Sequence, residues 1–303
     1  MTAACAIVTL AAMPSRFILP SIDATAWRRR RLFALVLANT VIATGTMAAP
    51  PDMREAIRAM TVASPYRIPG AARAREIRYR LTSPQAAQWS WPTTGEQRVR
   101  RIDGAVEITV CADCGDEAPS DAATLAALLR PNRYVDSRDR DVTRFARRHA
   151  RSVGVDARMR ALVEAVRQHM DGPIRYDDYA PASRALATRS GDCTESAVLL
   201  AASARAIGIP ARVVYGLAYA SRFVAMPHAF GPHVWMQAWD GTRWRSYDAG
   251  LGRFDAGHIA VHVDDGSLDG APDVAGLLRS LRIEDAAVIE RRGNRTPRVD
   301  TAQ

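Results

Sequence analysis

Three rhythms of apolar and polar residues follow one another along this chain. Between residues 73 and 114 the apolar positions recur at every second residue. Ile77, Tyr79 and Leu81 alternate with Arg78 and Arg80, and Val106, Ile108 and Val110 alternate with Glu107 and Thr109. That is the period of strands with one buried face. Asp103-Gly104, just ahead of the second run, is a hairpin signal. Trp89, Trp91 and Pro92 mark an irregular or strand stretch between the two runs, so the segment predicts a small β-rich module. Residues 54–60 predict a short helix before it, and the chain then loosens around Pro65, Pro69 and Gly70.

From Asp121 the period lengthens to that of helices. Residues 121–129 predict a short helix ended by Pro131, and residues 139–150 place Val142, Phe145, Ala146 and His149 on one face. Residues 156–170 space Met159, Leu162, Val163, Val166 and Met170 three and four apart, with Asp171-Gly172-Pro173 closing the helix. His149 and His169 belong to these helices and to no cluster of ligand-type residues, so they are read as ordinary helix histidines.

The third rhythm is an almost unbroken apolar run from Ala197 to Ile207, halted by Gly208 and Pro210. It predicts a helix buried on all sides. Ser190 and Asp192 are good N-cap residues, Gly191 permits a sharp turn, and Cys193 falls in the first helical turn. Unpaired N–H groups and the positive end of the helix dipole favour a thiolate there. Asp192 opposes a thiolate by its charge, and the reading assigns it to capping.

The remainder predicts strands again: residues 211–219, a loop over 220–231, residues 233–239 and 243–248, and residues 257–263. A helix over 274–281 and a strand over 283–289 follow, and an arginine-rich tail from Arg291 is expected to be disordered. Asp240-Gly241 reads as a two-residue hairpin loop, which sets His233 directly opposite Asp248. A four-residue loop would shift the pairing by two and leave them diagonal on the same face. His228, in the expected loop, is a rival base with no evident carboxylate partner. His258 and His262 are four apart, a spacing that suits zinc on a helix, but their segment alternates as a strand and lacks the Glu of HExxH. No metal and no cofactor is assigned.

Length and charge narrow the picture. The 303 residues, 48% hydrophobic, are enough for two domains or one large domain with extensions. The formal charge is +9, of which five arginines and one aspartate within residues 1–49 supply +4. The remaining arginines are scattered, which is a solvated surface rather than a nucleic-acid groove, so no nucleic-acid partner is expected. All 41 basic residues are arginine, which excludes a lysine nucleophile or Schiff base. Residues 28–49 run from Arg28–Arg31 through apolar residues 32–47 to Ala48-Ala49, the layout of an export signal. Residues 1–49 are therefore read as a leader and the protein as exported, periplasmic or secreted, with membrane contact only through an uncleaved leader. Without Cys5 of that leader, Cys111, Cys114 and Cys193 remain; the first two are close enough to pair, and Cys193 is left over.

Cysteine at a helix start, histidine to take its proton and aspartate to orient the histidine are the parts of a thiol acyl-transfer site. The candidates are Cys193, His233 and Asp248. The run GDCTESAVLLAASARAIGIPARVVYG, followed by PHVWMQAW and WRSYDAGLG, resembles the core of the transglutaminase-like superfamily. The resemblance covers roughly residues 135–265, including the segment around Tyr176. It implies an α+β papain-like core, a helix bundle packed on an antiparallel sheet, over residues 119–290. The β-rich N-terminal module is then residues 50–118 and the tail is residues 291–303. It also implies Cys193 as nucleophile, His233 as base, Asp248 as its orienting partner, and chemistry on peptide or protein amides, with water or an amine as acyl acceptor. The backbone N–H of Cys193 is a natural oxyanion donor, a role worth about 2.7 to 4 kcal/mol; Tyr176, Gln237 and the tryptophans are further candidates. The rival reading is a non-catalytic exported module that keeps the fold as a binding or scaffolding surface.

Overall fold

The computed structural model describes residues 51–175, 179–289 and 300–301. The leader pattern, most of the arginine-rich tail and Tyr176 lie outside the described residues. The chain opens with α1 (Pro51–Ala59), the short strands β1 (Val62–Ala63) and β2 (Tyr66–Arg67), and the single turn α2 (Gly70–Arg73). Next come β3 (Ile77–Thr82), β4 (Gln97–Ile102) and β5 (Ala105–Val110). The helices α3 (Ala122–Ala127), α4 (Arg140–His149), α5 (Val155–His169), α6 (Ala182–Thr188) and α7 (Cys193–Ala206) follow. The chain then runs through β6 (Ala211–Phe223), β7 (Met226–Trp239), β8 (Trp244–Tyr247), β9 (His258–Asp264), α8 (Val274–Ser280), β10 (Arg282–Val288) and β11 (Asp300–Thr301).

The two-residue rhythm of the N-terminal part becomes β3 and β5, paired antiparallel with Tyr79 opposite Ile108. Asp103-Gly104 is the two-residue turn that brings Ile102 opposite Ala105, with Gly104 at φ +68. The fourth strand of this sheet comes from the far end of the chain, in the order β10-β3-β5-β4. Cys111 and Cys114 are disulfide-bonded, with Cα atoms 5.7 Å apart. Residues 300–301 of the tail pair with β2, where disorder was expected.

The central sheet runs β1-β7-β6-β9, with β8 on the same edge of β7 as β1. Every residue of α7 except Ala206 is buried, as its apolar run predicts. The helix packs with Val142, Leu162 and Val166 of its neighbours against Val213, Val234 and Met236 of the sheet. A second core joins Tyr79, Ile108 and Ile283 of the four-stranded sheet to Leu217, Phe230 and Ile259 of the central one.

Two further expectations are corrected. Residues 220–231 are not a loop; they continue β6 and begin β7, with a tight turn at Val224-Ala225. Both turn residues have positive φ, 44° and 66°, a conformation usually supplied by asparagine or glycine, so the turn carries no local signature. His228 accordingly sits in a strand. The β7–β8 loop has four residues instead of two, because Trp239 pairs with Trp244. The Asp240 carboxylate accepts from the N–H groups of Thr242 (2.8 Å) and Arg243 (2.9 Å), which closes the wider turn. His233 and Asp248 are therefore diagonal instead of directly opposite.

Candidate active site

The start of α7 is built from its own sequence. Asp192 accepts the Thr194 N–H at 2.7 Å, and Glu195 returns to the Asp192 N–H at 2.9 Å, a reciprocal capping box. Glu195 uses its other oxygen on the Ala180 N–H at 3.1 Å, tying the preceding loop to the helix. Gly191 has φ +152 and lies where a Cβ would come within 2.6 Å of Glu195, so only glycine fits this approach. The consequence is a fixed Cys193, buried in the first turn, with the backbone N–H of Val234 directed at its Sγ from 3.2 Å. An N–H donor beside sulfur favours the anionic form. Sequence arithmetic leaves Cys193 unpaired, but in this structure it is disulfide-bonded. A disulfide sulfur has no proton to give, so any thiol chemistry at this position requires reduction first.

His233 and Asp248 reach each other across the β7–β8 diagonal. His233 Nε2 lies 2.8 Å from Asp248 Oδ2, and both side chains are buried. Asp248 Oδ1 accepts the Leu251 N–H at 3.1 Å, so the carboxylate is held at both oxygens. Burial works against its charge, yet the two histidines beside it hold the carboxyl well below the usual carboxylate range. An ionised Asp248 accepts from Nε2–H and leaves Nδ1 of His233 as the nitrogen that can take a proton. Gly250 packs between the groups: a Cβ there would be 3.2 Å from His233 Cε1, 3.3 Å from Asp248 Oδ1 and 3.4 Å from Cys193 Cβ. That common neighbour brings Cys193, His233 and Asp248 into one cluster.

The fourth member is His258. Its Nε2 lies 3.1 Å from the same Asp248 Oδ2, and its Nδ1 faces Asp255 Oδ1 at 3.4 Å and the Asp255 carbonyl at 3.1 Å. Burial disfavours the imidazolium, but hydrogen bonds to Asp248 and Asp255 outweigh it and push the pKa up to about 9. Trp235 and Phe254 flank the ring, with centroids 5.2 Å and 5.0 Å away. In the sequence His258 stands out only as a zinc partner of His262. His262 instead stacks on Tyr215 at 5.9 Å. The spacing of His258 from Asp248 holds no signal, because the intervening chain is irregular.

His233, Asp248 and His258 also form a trio of metal-ligand type, with ligating atoms within 4.8 Å of one another. Ligands about 2.0 to 2.2 Å from a tetrahedral ion stand about 3.3 Å apart. The 2.8 Å contact is instead a hydrogen bond, and one Asp248 oxygen serves both rings. The trio fits shared protons better than a shared cation.

The rival base His228 has Nδ1 at 3.0 Å from the Tyr219 hydroxyl. Gln237 is committed elsewhere: its amide nitrogen donates to Ser246 Oγ at 3.1 Å and its oxygen accepts from Arg212 at 2.8 Å. Trp235 likewise donates to Ser246 Oγ at 3.2 Å, and Trp244 to Ser120 Oγ at 2.8 Å. Behind Ser246 lies buried Glu96, which accepts its N–H at 2.9 Å and whose pKa burial pushes up to about 7.

Residues 157–249 match the family model described as the transglutaminase-like superfamily. That segment is similar to the transglutaminase-like core. The matched segment runs from α5 through β8 and ends one residue beyond Asp248, so the core's Cys193, His233 and Asp248 fall inside it and His258 falls outside. A candidate cysteine protease of Cytophaga hutchinsonii is similar at 15% identity and a TM-score of 0.44, over 75% of this chain and 89% of that one. The periplasmic domain of TgpA from Pseudomonas aeruginosa, bound to ethylmercury, is similar at 20% identity and a TM-score of 0.42, over 59% and 73%. Red sea bream transglutaminase is similar at 10% identity and a TM-score of 0.33, over 73% and 53%. No curated protein matches the chain in sequence. No helix among the described residues is long and apolar enough to cross a membrane.

Proposed function

We propose that the protein is a thiol acyl-transfer enzyme acting on peptide or protein amides, with Cys193 as nucleophile, His233 as base and Asp248 as the group that orients the base. The observation that carries this reading is the buried 2.8 Å contact of His233 Nε2 with Asp248, beside a cysteine in the first turn of a buried helix. In the reduced enzyme, His233 Nδ1 takes the proton of Cys193, and the sulfur adds to the amide carbonyl. The tetrahedral intermediate collapses as the C–N bond breaks, and the imidazolium returns the proton to the departing amine. Water or a second amine then attacks the thioester and regenerates the thiol. Hydrolysis and transfer share every step except the last.

The Cys111–Cys114 disulfide and the basic-then-apolar pattern of residues 28–49 support an exported enzyme in the periplasm or outside the cell. The test is iodoacetamide alkylation of reduced Cys193, followed by peptide mapping from about pH 4 to pH 9. Wild type should react well below the unperturbed thiol pKa of about 8.5, and His233→Ala and Asp248→Asn should both slow it. If Cys193 reacts as an ordinary thiol and the variants change nothing, the acyl-transfer reading is wrong.

A further inference from the structure

A cleft of 380 Å³ reaches His233 and His258, and its walls carry a charge that the proposed chemistry does not use. Arg67, Arg73 and Arg253 line it against the single carboxylate of Asp255. That carboxylate is already shared, facing His258 Nδ1 at 3.4 Å and Arg73 Nη1 at 3.3 Å. Arg67 and Arg253 are exposed, and among the described residues neither has an ion-pair partner. Arg73 is half-buried and lies over the Tyr219 ring at 5.5 Å; its Nε is buried and has no hydrogen-bond partner among the described residues. A buried donor left in that state costs free energy that a bound acceptor would recover. Ile68, Pro232 and Leu251 add an apolar lining.

We propose that this cleft is a subsite for an acidic segment of the peptide acyl donor, its carboxylates held by Arg67 and Arg253 at the mouth and by Arg73 further in. The identity of that segment as part of an acyl donor and its orientation toward His233 rest on the acyl-transfer reading; the binding of an acidic peptide in the cleft does not. Guanidinium groups suit this task because their planar fork meets a carboxylate with two parallel hydrogen bonds. A nucleic-acid strand is the poorer occupant, since base stacking needs open ring faces. The aromatic residues of the lining, Tyr219 and Phe223, are only 5% and 8% exposed.

The test uses full-length Cys193→Ala protein, which can bind but cannot react, and fluorescence anisotropy of labelled peptides of about ten residues. One peptide is rich in Glu and its control carries Gln at the same positions. The Glu peptide should bind about tenfold tighter at low salt, and added salt should weaken it. Arg67→Gln combined with Arg253→Gln should erase the preference, and both side chains are exposed enough to be replaced without loss of folding. Equal binding of the two peptides, a preference that survives the double substitution, or a dT oligonucleotide of similar length bound as tightly as the Glu peptide would each overturn the assignment. Normal alkylation of wild-type Cys193 with no Glu preference removes the subsite alone. The converse result removes the acyl-transfer reading alone.

Discussion

His258 offers the sharpest test of how the buried charge line is held together. Its imidazole is fully enclosed between Asp248 and Asp255, with His233 on one side and Arg73 reaching Asp255 from the other. Its pKa lies at about 9 in the fold, against 6.5 for the ordinary group. At about 1.4 kcal/mol per pH unit, that difference corresponds to about 3 kcal/mol of folding stability. The shift is upward, so the contribution is complete below about pH 6.5 and disappears as the pH rises through about 9. Urea unfolding of Cys193→Ala protein, chosen to remove thiol titration, should therefore show stability falling over this window. The same protein with His258→Gln keeps an N–H donor for Asp248 but has no titrating charge, and its profile should be flatter by roughly that 3 kcal/mol. It should also be less stable than the parent at about pH 6, where the parent imidazolium is intact. If both proteins lose the same stability between about pH 6 and pH 10, His258 is not the charged link described and the reasoning fails.

Two further outcomes are expected. Gly250→Ala puts a methyl group 3.2 Å from His233 Cε1 and 3.4 Å from Cys193 Cβ. It should slow alkylation of reduced Cys193 about tenfold with circular dichroism unchanged, and an unaltered rate would refute the close packing. Burial raises the Glu96 pKa from 4.5 to about 7, so ionising it destabilises the fold as the pH rises through that value. Glu96→Gln should raise the melting temperature by roughly 5 °C at about pH 8.5 and leave it nearly unchanged at about pH 5, with differential scanning calorimetry as the readout.

What could be read from the sequence follows the range of the forces involved. The capping residues of α7, its apolar run and the alternation in β3 and β5 are local, and each appears in the structure within a residue or two of its expected place. The β7–β8 register was off by two because Asp240 closes the loop through two backbone N–H groups, a choice that Asp-Gly alone does not disclose. Period two nevertheless protected the site: a shift of two residues keeps His233 and Asp248 on one face. The extension of β6 and β7 was hidden because Val224 and Ala225 hold positive φ without glycine. Partners brought together by tertiary packing escaped altogether. His258 meets Asp248 through an irregular connection, Glu96 reaches Ser246 from 150 positions away, and Arg73 meets Asp255 from the opposite half of the chain.

The pairing of β10 with β3 has a consequence for the order of folding. Ile77 finds its partner in Val288, so the β3 edge stays open until nearly all of the described chain has been made. The helices and the long β6–β7 hairpin, whose contacts are nearer in sequence, can close first, with the N-terminal strands completed last around them. Strands β3, β4 and β5 cannot complete a sheet whose fourth strand is β10.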